Sequence, residues 1–109
     1  MAGSTQIDSP PKPRRGRARL SIAGELTIYR AAELKLQLVE QLERHSALDL
    51  DLAQVSEIDC AGLQLLLFAQ RATQARNGEL RFIAPSPVVL EVFALLQLAP
   101  PAIAPPEAA

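Results

Sequence analysis

One stretch decides the fold of this chain: Ile58-Asp59-Cys60-Ala61-Gly62-Leu63-Gln64-Leu65-Leu66-Leu67. An acidic residue closes a strand-like run, three small residues follow, and a strongly apolar helix begins. This order predicts a tight strand-to-helix turn that leaves the N-terminus of the helix accessible. Such an N-terminus offers free backbone N–H groups and the positive end of the helix dipole, and both favour an anion or a phosphorylated side chain. Neither Cys60 nor Ala61, the residues placed to carry a phosphate, has a hydroxyl group.

The composition predicts one small globular domain with an aliphatic core. Of the 109 residues, 49% are hydrophobic but only 4% are aromatic. The single cysteine excludes an intramolecular disulfide and a cysteine-based zinc cluster. No segment has the length and apolarity of a membrane span or of a secretory signal, so we expect a cytoplasmic protein that does not insert into a membrane.

Charge is divided unevenly along the chain. Residues 1–19 carry five basic side chains and one acidic side chain, a net charge of +4, whereas residues 20–109 carry six basic and eleven acidic side chains, a net charge of −5. The acidic body of the chain predicts that it does not bind nucleic acid. We interpret the basic segment as a solvated tail, with an acidic surface or lipid headgroups as the alternative contacts.

Proline marks both ends of the ordered part. Residues 1–17 combine three prolines with an arginine cluster, and we interpret them as a disordered basic leader. Residues 99–109 contain four prolines and show no strand pattern, so we expect a disordered Pro/Ala-rich tail. The folded domain is therefore predicted to span residues 18–98.

Within this domain the hydrophobic pattern alternates between the strand period and the helix period. Strands are predicted at 19–23, 26–28, 48–52 and 80–83, and helices at 32–44, at 61–76 and after Ser86. Helices that cross over between strands imply parallel pairing. We therefore predict an α/β fold in which three helices pack on a small, mostly parallel sheet of four strands, with five strands as the alternative.

Residue types that carry out catalysis are sparse. The single histidine, His45, lies at the end of the first helix, and no nearby Ser, Cys or acidic residue in the sequence completes a nucleophile–base–orienter set with it. Asp49, Asp51 and Asp59 offer carboxylates to Mg²⁺, but strand alternation explains the first two as a polar face and Asp59 fits a helix N-cap. Gly62 stands alone and does not make a phosphate-binding loop. We therefore expect that this protein is not an enzyme and that it binds neither a metal ion nor a cofactor.

Four blocks of residues resemble the STAS domain family, in particular the stand-alone bacterial anti-sigma factor antagonists. The blocks follow the order and spacing of the family across residues 19–98. They are LSIAGELT at 20–27, LDLAQVSEID at 50–59, Gly62-Leu63 with the leucines that follow, and VFALLQL at 92–98. The resemblance implies a STAS-type domain that binds a protein and catalyses nothing. The family often adds a further strand and helix at its C-terminus, where this chain has its Pro/Ala-rich tail.

The resemblance also implies which residues bind the partner. In the family, phosphorylation of a serine or threonine at the strand-to-helix turn breaks the complex with an anti-sigma factor that is also a kinase. Asp59 matches the acid of this motif, Gly62 its glycine and Leu63 its leucine. Ala61 falls on the usual phosphoacceptor position and Cys60 on the neighbouring Ser/Thr position. We therefore expect these five residues, with the exposed side of the second helix, to bind a protein without the usual phospho-switch.

Three functions remain open from the sequence. The first is a protein-interaction module in signal transduction and transcription regulation, whose partner is a kinase-like anti-sigma factor or a chemotaxis component. The second is an accessory subunit of an ABC-type lipid transport complex, whose partner is the transporter ATPase. The third is a redox or ligand sensor that uses Cys60, because a helix N-terminus favours the reactive thiolate. The plainer interpretation of Cys60 is a small residue that fits a tight turn.

Overall fold

The computed structural model describes residues 17–106 and confirms the α/β fold, with three helices and a parallel four-stranded sheet. In chain order the elements are β1 (Ala18–Ser21), β2 (Gly24–Leu26), α1 (Ile28–Arg44), β3 (Ala47–Asp51), β4 (Val55–Ile58), α2 (Cys60–Ala75), β5 (Glu79–Ile83), α3 (Pro87–Leu95) and β6 (Ala102–Ala104). The predicted leader lies outside the described residues except for its last residue, Arg17. That residue belongs to the folded domain, because its guanidinium pairs with Asp49 at 2.9 Å.

All strand pairs in the described chain are parallel. The larger sheet has the order β1-β3-β5-β6, and β2 pairs with β4 in a second, two-stranded sheet. The Ile22 N–H donates to the Asp51 carbonyl at 3.0 Å, which extends the pairing of β1 with β3 by one residue in the direction of β2. Strands β2 and β4 end side by side at the register pair Leu26 and Ile58. Since α1 and α2 each begin two residues later, the two helices start next to each other.

The prediction of a disordered tail over residues 99–109 is wrong for Ala102–Ala104. These residues form β6, which pairs in parallel with residues 81–83 at the edge of the larger sheet. The Ala84 N–H also donates to the Ala104 carbonyl at 2.9 Å. Three residues are too few to show an alternating pattern, and the prolines on both sides hide them, although proline is compatible with a strand at a sheet edge. The folded domain therefore continues past residue 98, and β6 supplies the further strand whose absence the sequence suggested.

The core is aliphatic, as the composition predicts. Leu34, Leu38 and Leu42 follow the predicted i+4 steps along α1 and are buried. They belong to one cluster with inward side chains of the sheet, among them Leu50 and Phe82. The Phe82 ring meets a phenylalanine of α3, Phe93, edge to face with centroids 5.7 Å apart.

The opposite face of the sheet carries a row of charges. Arg19, Asp49 and Arg81 are register neighbours across β1, β3 and β5. The Asp49 carboxylate accepts hydrogen bonds from Arg81 at 2.8 and 3.0 Å and from Arg17 at 3.0 Å, and Asp49 is only 3% exposed. The prediction of a half-exposed polar face is therefore wrong for Asp49, because the arginine side chains lie over it. Asp51, the second predicted polar residue of β3, pairs with Arg19 at 2.8 Å.

Candidate functional site

The predicted strand-to-helix turn lies where β4 ends and α2 begins. Asp59 is the N-cap of α2 and has an extended backbone, with φ −118° and ψ −173°. One of its carboxylate oxygens, Oδ1, accepts the Gly62 N–H at 2.9 Å. This is the usual way in which an aspartate satisfies a free N–H in the first turn of a helix. The N-cap role that the sequence suggested for Asp59 is therefore present.

Asp59 also binds the N-terminus of the other helix. Its Oδ2 accepts the backbone N–H of Ile28, the first residue of α1, at 3.0 Å. The N-cap residue of α1, Thr27, makes no side-chain cap hydrogen bond of its own. One carboxylate thus serves two helix N-termini, and its contact with Ile28 joins residues that are thirty-one positions apart in sequence. Local sequence patterns contain no signal for this contact, since it depends on β2 and β4 ending side by side.

These contacts change the electrostatics of the turn. Hydrogen bonds from the Gly62 and Ile28 N–H groups stabilise the ionised carboxylate and lower the pKa of Asp59 below its usual 3.8. At neutral pH the positive end of α2 is therefore matched by a carboxylate of the same chain. The anion site that the turn predicts from its sequence is partly filled by Asp59 itself.

Gly62 is required by close packing of backbone on backbone. A methyl group at this position would overlap the carbonyl group of Leu26, the last residue of β2. The next residue, Leu63, is only 6% exposed and belongs to the core cluster. Two of the five residues expected to bind a partner are thus buried, and they hold α2 against the second sheet. The residues that a partner can reach at the turn are Asp59 and Cys60, which are exposed, and Ala61, which is half-buried.

Two exposed apolar residues at this site were missed by the sequence analysis. Ile28 and Tyr29 form the first turn of α1, next to Asp59, and are 66% and 88% exposed. The hydrophobic pattern predicts a strand over residues 26–28 and a helix from residue 32, but α1 begins at Ile28. Thr27 is a residue type that favours an N-cap and could have indicated the earlier start.

The other candidate residues lie away from the turn or have different partners. His45 is the C-cap of α1, at the end of that helix opposite to Asp59, as expected for a histidine at a helix C-terminus. The carboxylates of Asp49 and Asp51 are paired with arginines. Residues 17–106 contain no group of three or more His, Cys, Asp or Glu side chains that could hold a metal ion. Cys60 is a free, exposed cysteine at the first position of α2, and its role as a sensor stays a prediction.

The two arginines that surround Asp49 together outweigh the effect of burial on its pKa. Removal from water raises the pKa of this carboxyl group, but the hydrogen bonds from Arg81 and Arg17 lower it by more, so the pKa of Asp49 lies below its usual 3.8. The carboxylate is therefore a structural anion within the sheet.

None of the helices in the described part of the chain is both long enough and apolar enough to span a membrane.

Comparisons with known proteins agree on the kind of domain. The family model described as "Mlab, STAS domain" matches residues 13–101. The solved structure of the anti-sigma factor antagonist SpoIIAA in its unphosphorylated form superposes with a TM-score of 0.66 at 19% identity, covering 85% of this chain and 83% of that chain. The phosphorylated form of SpoIIAA, a Bacillus cell fate determinant, gives a TM-score of 0.68 at 20% identity and covers 87% and 86%.

A third solved structure has the same fold. It is a putative anti-sigma factor antagonist from Thermotoga maritima, with a TM-score of 0.72 at 20% identity, and the match covers 80% of this chain and 78% of that chain. A search of curated proteins returned no match. At these identities the structural matches demonstrate a shared fold.

Proposed function

This chain belongs to the STAS domain family, and from that premise we propose that it is a non-catalytic protein-binding module of the anti-sigma factor antagonist type, acting in a signalling complex in the cytoplasm. The observation that carries this proposal is the exposed turn at Asp59 and Cys60, which is hydrogen-bonded to the first residue of α1, where Ile28 and Tyr29 are exposed. An exposed apolar pair beside a charged residue is typical of a protein-binding surface. The partner is a protein, either a kinase-like anti-sigma factor or a chemotaxis component.

The proposed binding surface is smaller than the sequence suggested and extends to a different element. Asp59, Cys60 and Ala61 contribute from α2, and Ile28 and Tyr29 contribute from α1. Gly62 and Leu63 support this surface from below. Tyr29 is 88% exposed, and a tyrosine side chain offers a large area of contact at a low cost in conformational entropy.

We place no phospho-switch at this turn. Ala61, at the phosphoacceptor position, has no hydroxyl group, and Cys60 is not a substrate of a Ser/Thr kinase in the ordinary way. Asp59 already accepts the Gly62 N–H, so a negative charge is a constant part of the surface. The affinity for the partner is then constitutive or controlled by the partner itself.

Affinity capture from the source cell tests the binding surface. The wild-type chain should retain one protein partner, and Cys60→Glu should lose it, because a new charge would be buried in the interface. The variant should stay folded, since an acidic residue is favourable in the first turn of a helix. Gln74→Glu, an exposed position near the other end of α2, is the matched control and should bind normally. Equal capture by wild type and Cys60→Glu would contradict the proposed surface. An ABC-transporter ATPase among the captured proteins would favour the lipid-transport alternative.

Restoring a hydroxyl group tests the absence of the switch. Wild-type protein incubated with the captured kinase and ATP should acquire no phosphate between residues 59 and 63. Ala61→Ser should become phosphorylated there and should then release the partner, because a phosphate adds about two negative charges to the surface. Phosphate found at this turn in the wild-type protein, by peptide mass spectrometry, would overturn the proposal of a constitutive surface.

A further inference from the structure

A groove of about 630 Å³ runs between α1 and α2, away from the tip of the turn. On the α1 side it is lined by four residues that share one face of the helix: Ile28, Ala31, Ala32 and Lys35. Because Ala31 and Ala32 have only methyl side chains, the groove is open to solvent on this side. From Ile28 to Lys35 this wall is about 10 Å long, at 1.5 Å per helical residue.

The α2 side repeats the arrangement with a larger apolar surface. Ala61 lies at the end near the turn, Phe68 lies further along, and Arg71 closes the far end. Since α1 and α2 both follow strands of a parallel arrangement, they run in the same direction, and Lys35 and Arg71 stand near the same end of the groove. The Lys35 ammonium lies 5.0 Å from the centre of the Phe68 ring, which holds this cation at the wall.

The charge of this groove is opposite to that of the domain around it. Residues 17–106 carry eight basic and ten acidic side chains, a net charge of −2. Yet within that part of the chain no carboxylate lines the groove, and neither Lys35 nor Arg71 has an acidic partner within 4 Å. The groove on the other side of the turn, between β4 and α3, is lined by Glu57, Asp59 and Glu91. The two grooves that adjoin the turn therefore favour ligands of opposite charge.

From these contacts we infer that the α1–α2 groove binds an amphipathic helix of the partner protein, with its apolar stripe on Ile28 and Phe68 and with carboxylates that reach Lys35 and Arg71. The inference rests on the proposed function and adds the chemistry of the partner. A groove two to three helical turns long suits the i, i+3/i+4, i+7 contacts of a docked helix. Lys35 and Arg71, which have no carboxylate partner among residues 17–106, select for acid-flanked helices and against basic ones, because like charges across an interface are unfavourable.

Two designed peptides test this inference on the full chain. Both are helical and about 14 residues long, or about 20 Å, with leucines on one face. One carries Glu on both flanks of the leucine stripe, and the other carries Lys at the same positions. Binding is measured by fluorescence anisotropy, and the binding site is mapped by NMR shifts of the Ile28 methyl groups and the Phe68 ring. The Glu peptide should bind and shift these signals, and a higher salt concentration should lower its affinity.

Charge reversal supplies the decisive comparison. Lys35→Glu combined with Arg71→Glu should lower the affinity for the Glu peptide at least about tenfold and should raise the affinity for the Lys peptide. Arg76→Glu, an exposed position at the C-cap of α2 and outside the groove, is the matched control and should change the affinity by less than about twofold. Circular dichroism melting checks that both variants stay folded.

Four outcomes would overturn the inference. The first is equal affinity of wild type for the Glu and Lys peptides, and the second is an absence of NMR shifts at Ile28 and Phe68. The third is a dimer in sedimentation that the double variant dissociates, since a second copy would then cover the groove. The fourth is binding to phosphatidylglycerol vesicles in place of the Glu peptide.

The captured partner separates this inference from the proposed function. Capture that requires Cys60 but is unaffected by the double reversal at Lys35 and Arg71 would contradict the groove inference and leave the proposed function intact. Loss of capture in both the Cys60→Glu variant and the double variant supports both proposals.

Discussion

Asp59 accepts hydrogen bonds from both helices that meet at the turn, and this makes it the most constrained residue of the site. Its side chain is exposed, so a partner can contact the same carboxylate that holds the two helices. The resemblance to the family identified Asp59 as the acid of a motif. The structure adds a physical reason for an acid at this position, which is that a neutral side chain cannot accept both N–H groups and balance two helix dipoles.

Two substitutions of Asp59 should separate its two contacts. Asp59→Ala removes both acceptors and should lower the urea midpoint of unfolding. Asp59→Asn keeps one acceptor oxygen for Gly62, since asparagine is also a good N-cap, but its amide group cannot accept the Ile28 N–H. Its midpoint should lie between those of wild type and Asp59→Ala. Amide hydrogen exchange should quicken at Ile28 in both variants, and at Gly62 mainly in Asp59→Ala. Equal acceleration at both amides in Asp59→Asn would contradict the shared-cap geometry.

Among the secondary-structure elements, the strongly periodic ones were the most predictable. The leucines of α1 and the apolar run of α2 predict both helices, because their burial follows directly from spacing along the chain, although α1 begins four residues earlier than predicted. Short elements were less predictable. Strand β4 follows β3 after a gap of three residues and was not among the predicted strands, and β6 has only three residues between prolines. Both strands depend on hydrogen bonds to partners that are distant in sequence.

Strand β6 should contribute to stability through its inward residue. Ala104 is 6% exposed, whereas Ile103 is 50% exposed. Ala104→Asp would bury a charge without a partner and should destabilise the fold by about 2 kcal/mol or more. Ile103→Asp, its neighbour on the same strand, should cost less than about 1 kcal/mol. Urea unfolding measures both values. Similar small effects for the two variants would show that β6 does not pack as described.

For the protein as a whole, stability should depend on acidic pH through two carboxyl groups. The folded-state pKa values of Asp49 and Asp59 both lie below the usual 3.8. The stability that each ionised group contributes is therefore fully present above about pH 4 and is lost as the pH falls through the folded-state pKa. Unfolding free energy measured by urea titration should be flat near neutral pH and should decrease below about pH 4.

Substitution of Asp49 tests the origin of this pH dependence. Asp49→Asn should cost about 2–3 kcal/mol at neutral pH, somewhat less than the roughly 3–5 kcal/mol for breaking a fully buried ion pair, because its two arginines are partly exposed. It should also reduce the slope below about pH 4. Asp51→Asn is the matched control, since its pair with Arg19 is more exposed, and should cost about 0.5 kcal/mol. An unchanged acid slope in Asp49→Asn would assign the pH dependence to other groups.

The sequence by itself determined the α/β class, the order of the long helices, the aliphatic core and the identity of the turn at Asp59. These properties follow from local periodicity and from residue types such as the small residues before a helix. The tertiary structure alone decided which residues of the turn are exposed, that Asp59 caps both α1 and α2, and that the exposed Ile28 lies beside it. It also decided that Lys35 and Arg71 share one groove. The physical reason is that exposure, capping between elements and groove charge depend on which strands pair, and parallel pairing brings together residues that are far apart along the chain.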